Sequence, residues 1–243
     1  MPATTRKTAV VLGAGPGLGM SIAHRFGREG YAVALVSRTA ERHAGYVASL
    51  AAAGVEAVAL AADVHDDDGV GAALDEIAGR FGTIDVVYYG PGAADVTAPL
   101  KDITETTAAD VMEAMEVAYS AVEVVGRVLP GMIERGEGGL LFAGGLSSVM
   151  PMPPLGALAL SSAALRNYAL TLNAALSGQG VYAGTLTIGG LIERGDIHRY
   201  VTSDPARAAG VGDHTLDPDA IADTAWELFT KRDRPEVTFS TFG

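Results

Sequence analysis

Short apolar, β-branched runs alternate with stretches of helical periodicity along the whole chain. Runs at Thr8–Leu12, Ala32–Val36, Val55–Ala61, Asp85–Tyr89, Leu140–Ala143, Val181–Ile188 and Val237–Phe239 predict strands. Helices are predicted between them at about Ser21–Glu29, Ala40–Ala53, Val70–Phe81, Thr107–Arg135 and Leu155–Leu176, and from Pro218 to about Thr230. Gly136 marks the end of the long helix, and Asp217 followed by Pro218 marks the start of the last one. Strands that are apolar on both faces, rather than alternating, belong to a parallel sheet covered by helices on both sides. The expectation is one α/β domain over residues 1–243, a doubly wound parallel sheet of about seven strands. The least regular stretch, 193–215, is rich in Gly, Asp, Arg and His and is expected to be a mobile surface loop on the substrate side.

Composition adds exclusions. Of 243 residues, 49% are hydrophobic and 19% charged, enough apolar mass for a packed core. Seventeen Lys and Arg against 29 Asp and Glu give a net charge of −12, which argues against nucleic acid or an anionic membrane as partner. A local basic pocket can still hold a phosphate. With no cysteine, disulfides and thiolate chemistry are excluded. No apolar targeting core precedes the first strand. The uncharged stretch from Gly138 to Leu165 is broken by Pro151, Pro153 and Pro154, unlike a membrane span. A soluble, cytoplasmic protein acting on a small molecule is expected. The five histidines lack ligand spacing, and the acidic run Asp63 to Asp68 reads as a cap for the next helix, so no metal is expected.

The first strand runs straight into Gly13-Ala14-Gly15-Pro16-Gly17-Leu18-Gly19 and then a helix. Glycines here permit a tight turn and let backbone amides approach a pyrophosphate at the helix N-terminus. After the second strand, where an acid would bind the ribose hydroxyls of NAD, the chain carries Ser37 and Arg38. A hydroxyl and a guanidinium suit a 2′-phosphate, so the cofactor expected is NADP(H).

Together with Asp63-Val64, Asp85-Val86-Val87 and Leu129-Pro130-Gly131-Met132, these features resemble the short-chain dehydrogenase/reductase family across essentially the whole chain. The resemblance implies a Rossmann-like fold and a dinucleotide site. It implies that Asp63 meets the adenine amino group and that Val64 packs on the ring. Gly90, Pro91 and Gly92 stand where the family has Asn-Ala-Gly, and Gly189-Gly190 where it has Pro-Gly, with Leu191 and Ile192 following beside the nicotinamide. It further implies a homodimer or homotetramer formed through the two long helices.

The same resemblance implies an Asn, Ser, Tyr and Lys that perform the proton chemistry, the Lys lowering the Tyr pKa. Carried over by motif spacing, these positions hold Val117, Gly145, Leu158 and Ser162. Lysine occurs only at Lys7, Lys101 and Lys231, and Arg166 is the sole charged residue between Glu137 and Glu193. Ser147 and His198 are the substitute candidates, with Tyr89, Tyr119 and Arg166 as possible pocket or interface residues. Three readings stay open: an NADP(H)-dependent oxidoreductase of non-standard mechanism, a non-redox cyclase, isomerase or lyase, and a non-catalytic NADP(H)-binding sensor or structural protein.

Overall fold

The computed structural model describes residues 6–92 and 95–242. The first five residues, read above as free of a targeting core, lie outside the described residues. Strands β1 (Thr8–Leu12), β2 (Ala32–Ser37), β3 (Ala57–Ala61), β4 (Val86–Tyr89), β5 (Gly138–Gly145), β6 (Val181–Gly189) and β9 (Glu236–Ser240) form a seven-stranded parallel sheet in the order β3-β2-β1-β4-β5-β6-β9. Two short strands, β7 (Leu191–Ile192) and β8 (Thr215–Leu216), pair separately.

Alternating residues of each strand feed two cores. Val10, Leu12, Val87, Tyr89, Leu140 and Phe142 pack against α3 (Asp67–Phe81), α4 (Ala108–Arg135) and α5 (Ala157–Ala175). Ala9, Val11, Val33, Leu35 and Leu141 face the other way, toward α1 (Leu18–Arg28), α2 (His43–Ala52) and α8 (Pro218–Lys231). On that second face Phe26, Tyr31 and Trp226 meet edge to face, with Phe229 tilted against Phe26 and Trp226, and the cluster pins α8 onto α1. The Rossmann-like α/β sheet is thus as expected. No helix of the described residues is long and apolar enough to cross a membrane.

Helix boundaries follow their caps. Thr107 and Asp110 form a reciprocal capping box at the start of α4, and Gly136 ends it in the left-handed region. Asp217 accepts from the Asp219 amide at the start of α8. Asp66 accepts from the Gly69 amide, so α3 begins at Asp67, three residues before the expected Val70. The stretch 193–215, expected to be irregular, contains two short helices, α6 (Asp196–Thr202) and α7 (Pro205–Ala208). Asp204 caps the second through the Ala206 amide, with Pro205 at its first position.

Candidate functional site

The crevice at the C-terminal edge of the sheet is built around the turn between β1 and α1. The Gly13 and Ala14 amides both donate to the Val36 carbonyl at 3.0 Å, tying this turn to β2. Gly13 has φ +93°, and a Cβ there would lie 2.3 Å from the Gly90 carbonyl oxygen, so no other residue fits. Gly19 packs as closely on the turn, with a Cβ position 2.7 Å from the Gly13 oxygen. Gly15 faces open space, its nearest neighbour 4.0 Å from the would-be Cβ. Gly17 caps α1 without any side chain accepting from the helix amides, and no acid stands in the first turn. No side chain takes the first amides of this eleven-residue helix, although the Met20 amide donates to the Gly15 carbonyl at 3.0 Å, and its positive end beside an open glycine has the chemistry to accept a phosphate. Pro16 is half-buried and Leu18 is buried beneath the turn.

The remaining expected cofactor positions reach the same edge. Ser37 ends β2, with its Oγ 2.8 Å from His43 Nε2. Burial lowers the pKa of His43, so it is neutral at pH 7 and its link to Ser37 fixes the start of α2. Arg38 follows on the exposed surface. After β3, the Asp63 carboxylate accepts from the His65 amide at 3.1 Å, and Val64 is buried. Gly90, after β4, has no room for a side chain because the Tyr88 hydroxyl occupies that space. Pro91 and Gly92 continue along the edge toward solvent. Gly190 and Ile192 follow β6, and Leu191 and Ile192 pair with β8. The chain then crosses the glycine turn: a Cβ on Gly17 would lie 3.1 Å from the Glu193 oxygen and from Gly195.

At the end of β5 the structure brings together Gly145, Ser147 and Ser162. The Cβ position of Gly145 is 3.2 Å from Ser162 Oγ and 3.3 Å from Ser147 Oγ. Leu158 lies one turn before Ser162 on α5 and is 44% exposed. It lines a pocket of about 200 Å³ with Leu100, Lys101, Asp110, Glu113 and Leu155. Lys101 is held by Asp110, whose carboxyl is pushed well below its usual range first by that ammonium and then by Thr107. Val117 on α4 meets the site through its backbone, its carbonyl accepting from the Tyr89 hydroxyl at 2.7 Å.

Several candidates sit elsewhere. Tyr89 is a core residue whose phenol is raised by burial and committed to Val117. Tyr119 is 54% exposed on the outer face of α4, outside the core. Arg166 makes a two-pronged pair with Glu236 at 2.6 Å per contact, so its guanidinium is committed to β9 rather than available to a ligand. His198 lies on α6 with its Nδ1 buried and unpartnered among the described residues, and no hydrogen bond joins it to Ser147. A cavity of about 560 Å³ lies between α1, α2 and α8 and reaches Pro16 of the glycine turn, with His24, Arg28, Tyr46, Arg194 and Asp219 among its lining residues. The convergence of Ser147 on Ser162 and the bond from Tyr89 to Val117 have no local sequence signal, because each joins separate elements.

Residues 7–197 match the family model described as short chain dehydrogenase. A short chain dehydrogenase of Pseudocercospora fijiensis is 31% identical over 185 residues, 75% of this chain and 59% of that protein, so the matched segment spans less than two thirds of that relative. The 1-deoxy-11-beta-hydroxypentalenate dehydrogenase of Streptomyces exfoliatus is 29% identical over 223 residues, covering 91% of this chain and 78% of that protein. Among solved structures, L-sorbose reductase from Gluconobacter frateurii, complexed with NADPH and L-sorbose, superimposes with a TM-score of 0.80 at 22% identity, over 97% of this chain and 95% of the other. A short chain oxidoreductase from Pseudomonas aeruginosa PAO1, described as containing an atypical catalytic center, superimposes with a TM-score of 0.83 at 20% identity, over 96% and 95%. At these identities the structural matches show the shared fold.

Proposed function

The chain belongs to the short-chain dehydrogenase family, and from that premise we propose that it is an NADP(H)-dependent oxidoreductase working without the family's Tyr and Lys. The glycine turn and the amides at the start of α1 would hold the pyrophosphate, Ser37 and Arg38 the 2′-phosphate, and Asp63 and Val64 the adenine. The bound cofactor supplies a hydride. The NADPH complex of the sorbose reductase supports a nicotinamide cofactor for this fold.

The observation that carries the reading is the combination of a glycine turn at the start of α1 with a reacting end that has neither phenol nor ammonium at the two positions the family uses for proton transfer. Leu158 and Ser162 replace the phenol and ammonium, and the only charged residue between Glu137 and Glu193, Arg166, is tied to Glu236. The three lysines pair with Glu137, Asp110 and Glu227. A serine hydroxyl donates a hydrogen bond but is too weak an acid to act as Tyr does. The site therefore suits a small substrate whose reduction takes its proton from water rather than from a tyrosine, such as an activated carbon–carbon double bond. The Pseudomonas structure with an atypical catalytic center is a precedent for such a departure on this fold.

Titration of the purified protein with NADPH and with NADH tests the cofactor: NADPH binds more tightly, and Arg38→Ala removes the preference. A panel of ketones, imines and enones then tests redox chemistry through loss of NADPH absorbance. Turnover with no change in absorbance would favour the non-redox alternative instead. Absence of binding by either dinucleotide overturns the proposal.

A further inference from the structure

We infer that His214 is a positioning residue that, together with Thr241 and Phe242, sets the Gly189–Leu191 turn against which the nicotinamide end of a dinucleotide would lie. The inference rests on the reading above, in which a dinucleotide binds at this edge of the sheet, with its nicotinamide beside Leu191 and Ile192. The contacts themselves stand on the chain's own residues. The turn after β6 opens on two adjacent glycines, Gly189 and Gly190, where the family has Pro-Gly. Proline fixes a backbone angle, whereas a glycine pair keeps the widest choice of conformations, so this turn needs to be held from outside.

Two segments distant in sequence hold it at both ends. The Thr241 amide and hydroxyl both donate to the Gly189 carbonyl, at 3.0 and 3.2 Å. The Leu191 amide donates to the His214 carbonyl at 2.7 Å. His214 then joins the two ends. Its Nδ1 lies 3.0 Å from the Thr241 carbonyl oxygen, and its ring stacks on Phe242 with centroids 4.3 Å apart and planes 23° from parallel. A carbonyl oxygen only accepts, so Nδ1 carries the hydrogen and donates. Ser240 folds the segment after β9 back on itself and so aims the Phe242 ring: its hydroxyl donates to the Phe242 carbonyl at 2.7 Å and accepts from the Phe242 amide at 3.1 Å. The result is a closed circuit from Gly189 through Thr241 and His214 to Leu191. Packing leaves the turn little room to drift, because a Cβ on Gly189 would run into the Leu146 side chain and one on Gly190 would meet Leu216 at 2.9 Å. Leu191 and Ile192 then pair with Thr215 and Leu216, the two residues that follow His214. His214 thus fixes both the turn and the short strand that continues from it, and it acts through the backbone it holds.

The test uses the full chain and two ligands, NADPH and adenosine 2′,5′-bisphosphate, which keeps the adenosine 2′-phosphate and lacks the nicotinamide. Calorimetry gives both dissociation constants, and the emission of the NADPH nicotinamide reports its surroundings. With the wild type, both ligands bind and the emission rises and shifts to the blue. His214→Ala weakens NADPH binding about fivefold, the worth of one hydrogen bond, and reduces the emission change, while the bisphosphate binds as before. His214→Asn, whose side-chain amide can still donate to the Thr241 carbonyl, recovers most of the NADPH affinity. Phe242→Ala, which removes only the stacked ring, gives the same selective loss. Hydrogen exchange without ligand reads the clamp directly, and 189–192 should exchange faster in His214→Ala and Phe242→Ala than in the wild type. Unchanged NADPH affinity in both alanine variants, an equal loss of both ligands, or a wild-type emission that does not change on binding overturns the inference and leaves the dinucleotide reading in place. Failure of the wild type to bind either ligand overturns that reading, and the inference with it.

Discussion

Arg42 and Asp196 stand 154 residues apart in the sequence and meet in a bidentate ion pair, with contacts of 2.7 and 3.0 Å. Arg42 is the residue before α2, and Asp196 opens α6, immediately after the segment that crosses Gly17. The pair therefore fastens the chain after β6 to the far side of the glycine turn. Arg199 holds the same carboxylate from within α6.

Breaking this clasp is expected to loosen a segment without unfolding the protein. Both partners are 40% or more exposed, so Asp196→Asn costs no more than about 1 kcal/mol of global stability. Hydrogen exchange in 193–202 should nevertheless accelerate several-fold. Arg42, followed by Arg199, holds the Asp196 carboxyl below its usual range. Its contribution is thus complete above the unfolded value near 4 and is lost as pH falls through the lower folded value. Exchange mass spectrometry at pH 7 on both proteins checks the expectation; equal protection of 193–202 would show that the clasp holds nothing.

Two glycines of the same turn should respond oppositely to alanine. Gly13→Ala combines a positive φ with a Cβ 2.3 Å from the Gly90 oxygen, so it forces β1 and β4 apart at their ends and costs more than about 2 kcal/mol. Gly15→Ala meets nothing closer than 4.0 Å, so stability stays within about 0.5 kcal/mol. Yet the new methyl enters the proposed phosphate cradle, so NADPH binding weakens. Thermal melts paired with cofactor titration separate the two effects.

Much of this was legible in the sequence, and the boundary between what was and was not is a matter of range. The strands at Thr8–Leu12 and Val181–Ile188 announce themselves by local apolar runs, and the glycine turn by its place between a strand and a helix. Asp217-Pro218 marks a helix start because a cap acts within three residues. The acidic run at 63–68 contains the cap of α3, Asp66, and the helix starts there, ahead of the first apolar residue of its period at Val70. The helices within 193–215 were hidden because α6 and α7 are short and contain no buried residues to create a period. Arg166 looked available because its partner, Glu236, is 70 residues away. The meeting of Ser147 and Ser162 was equally invisible, since it depends on how α5 docks on the end of β5.

The ion pair between Arg166 and Glu236 should matter more than the clasp. Its side chains are only 27% and 19% exposed, and Thr187 also donates to the carboxylate. Arg166→Ala leaves Glu236 between β9 and α5 without its cation and costs about 2 kcal/mol at pH 7. Arg166, the principal cause, and then the Thr187 hydrogen bond lower the Glu236 pKa against the opposing effect of burial. The stabilisation is complete above the unfolded value near 4.3 and vanishes as pH falls through the lower folded value. Melting curves should show the gap between variant and wild type narrowing below pH 4. A gap that stays constant across that range would mean the loss comes from packing of the arginine stem.

The outer face of α4 predicts self-association. Met112, Tyr119, Val122 and Ile133 are 68%, 54%, 47% and 40% exposed, and their spacing places them within one face of the helix. Gly126 falls in the same stripe with nothing within 4 Å of its Cβ position, so another helix can approach closely there. Glu116, Glu123 and Arg127 border the stripe with charges of both signs, which a two-fold related copy can pair. An apolar stripe with a small residue inside it and mixed charges at its rim fits a helix-to-helix contact between copies of this chain. Light scattering after size exclusion should therefore report a dimer or tetramer for the wild type. Tyr119→Lys with Val122→Lys should shift it to the monomer while circular dichroism stays unchanged, because both side chains are exposed within the single chain. A wild type that runs as a monomer at micromolar concentration, or a double variant that remains assembled, would rule out this face as the contact.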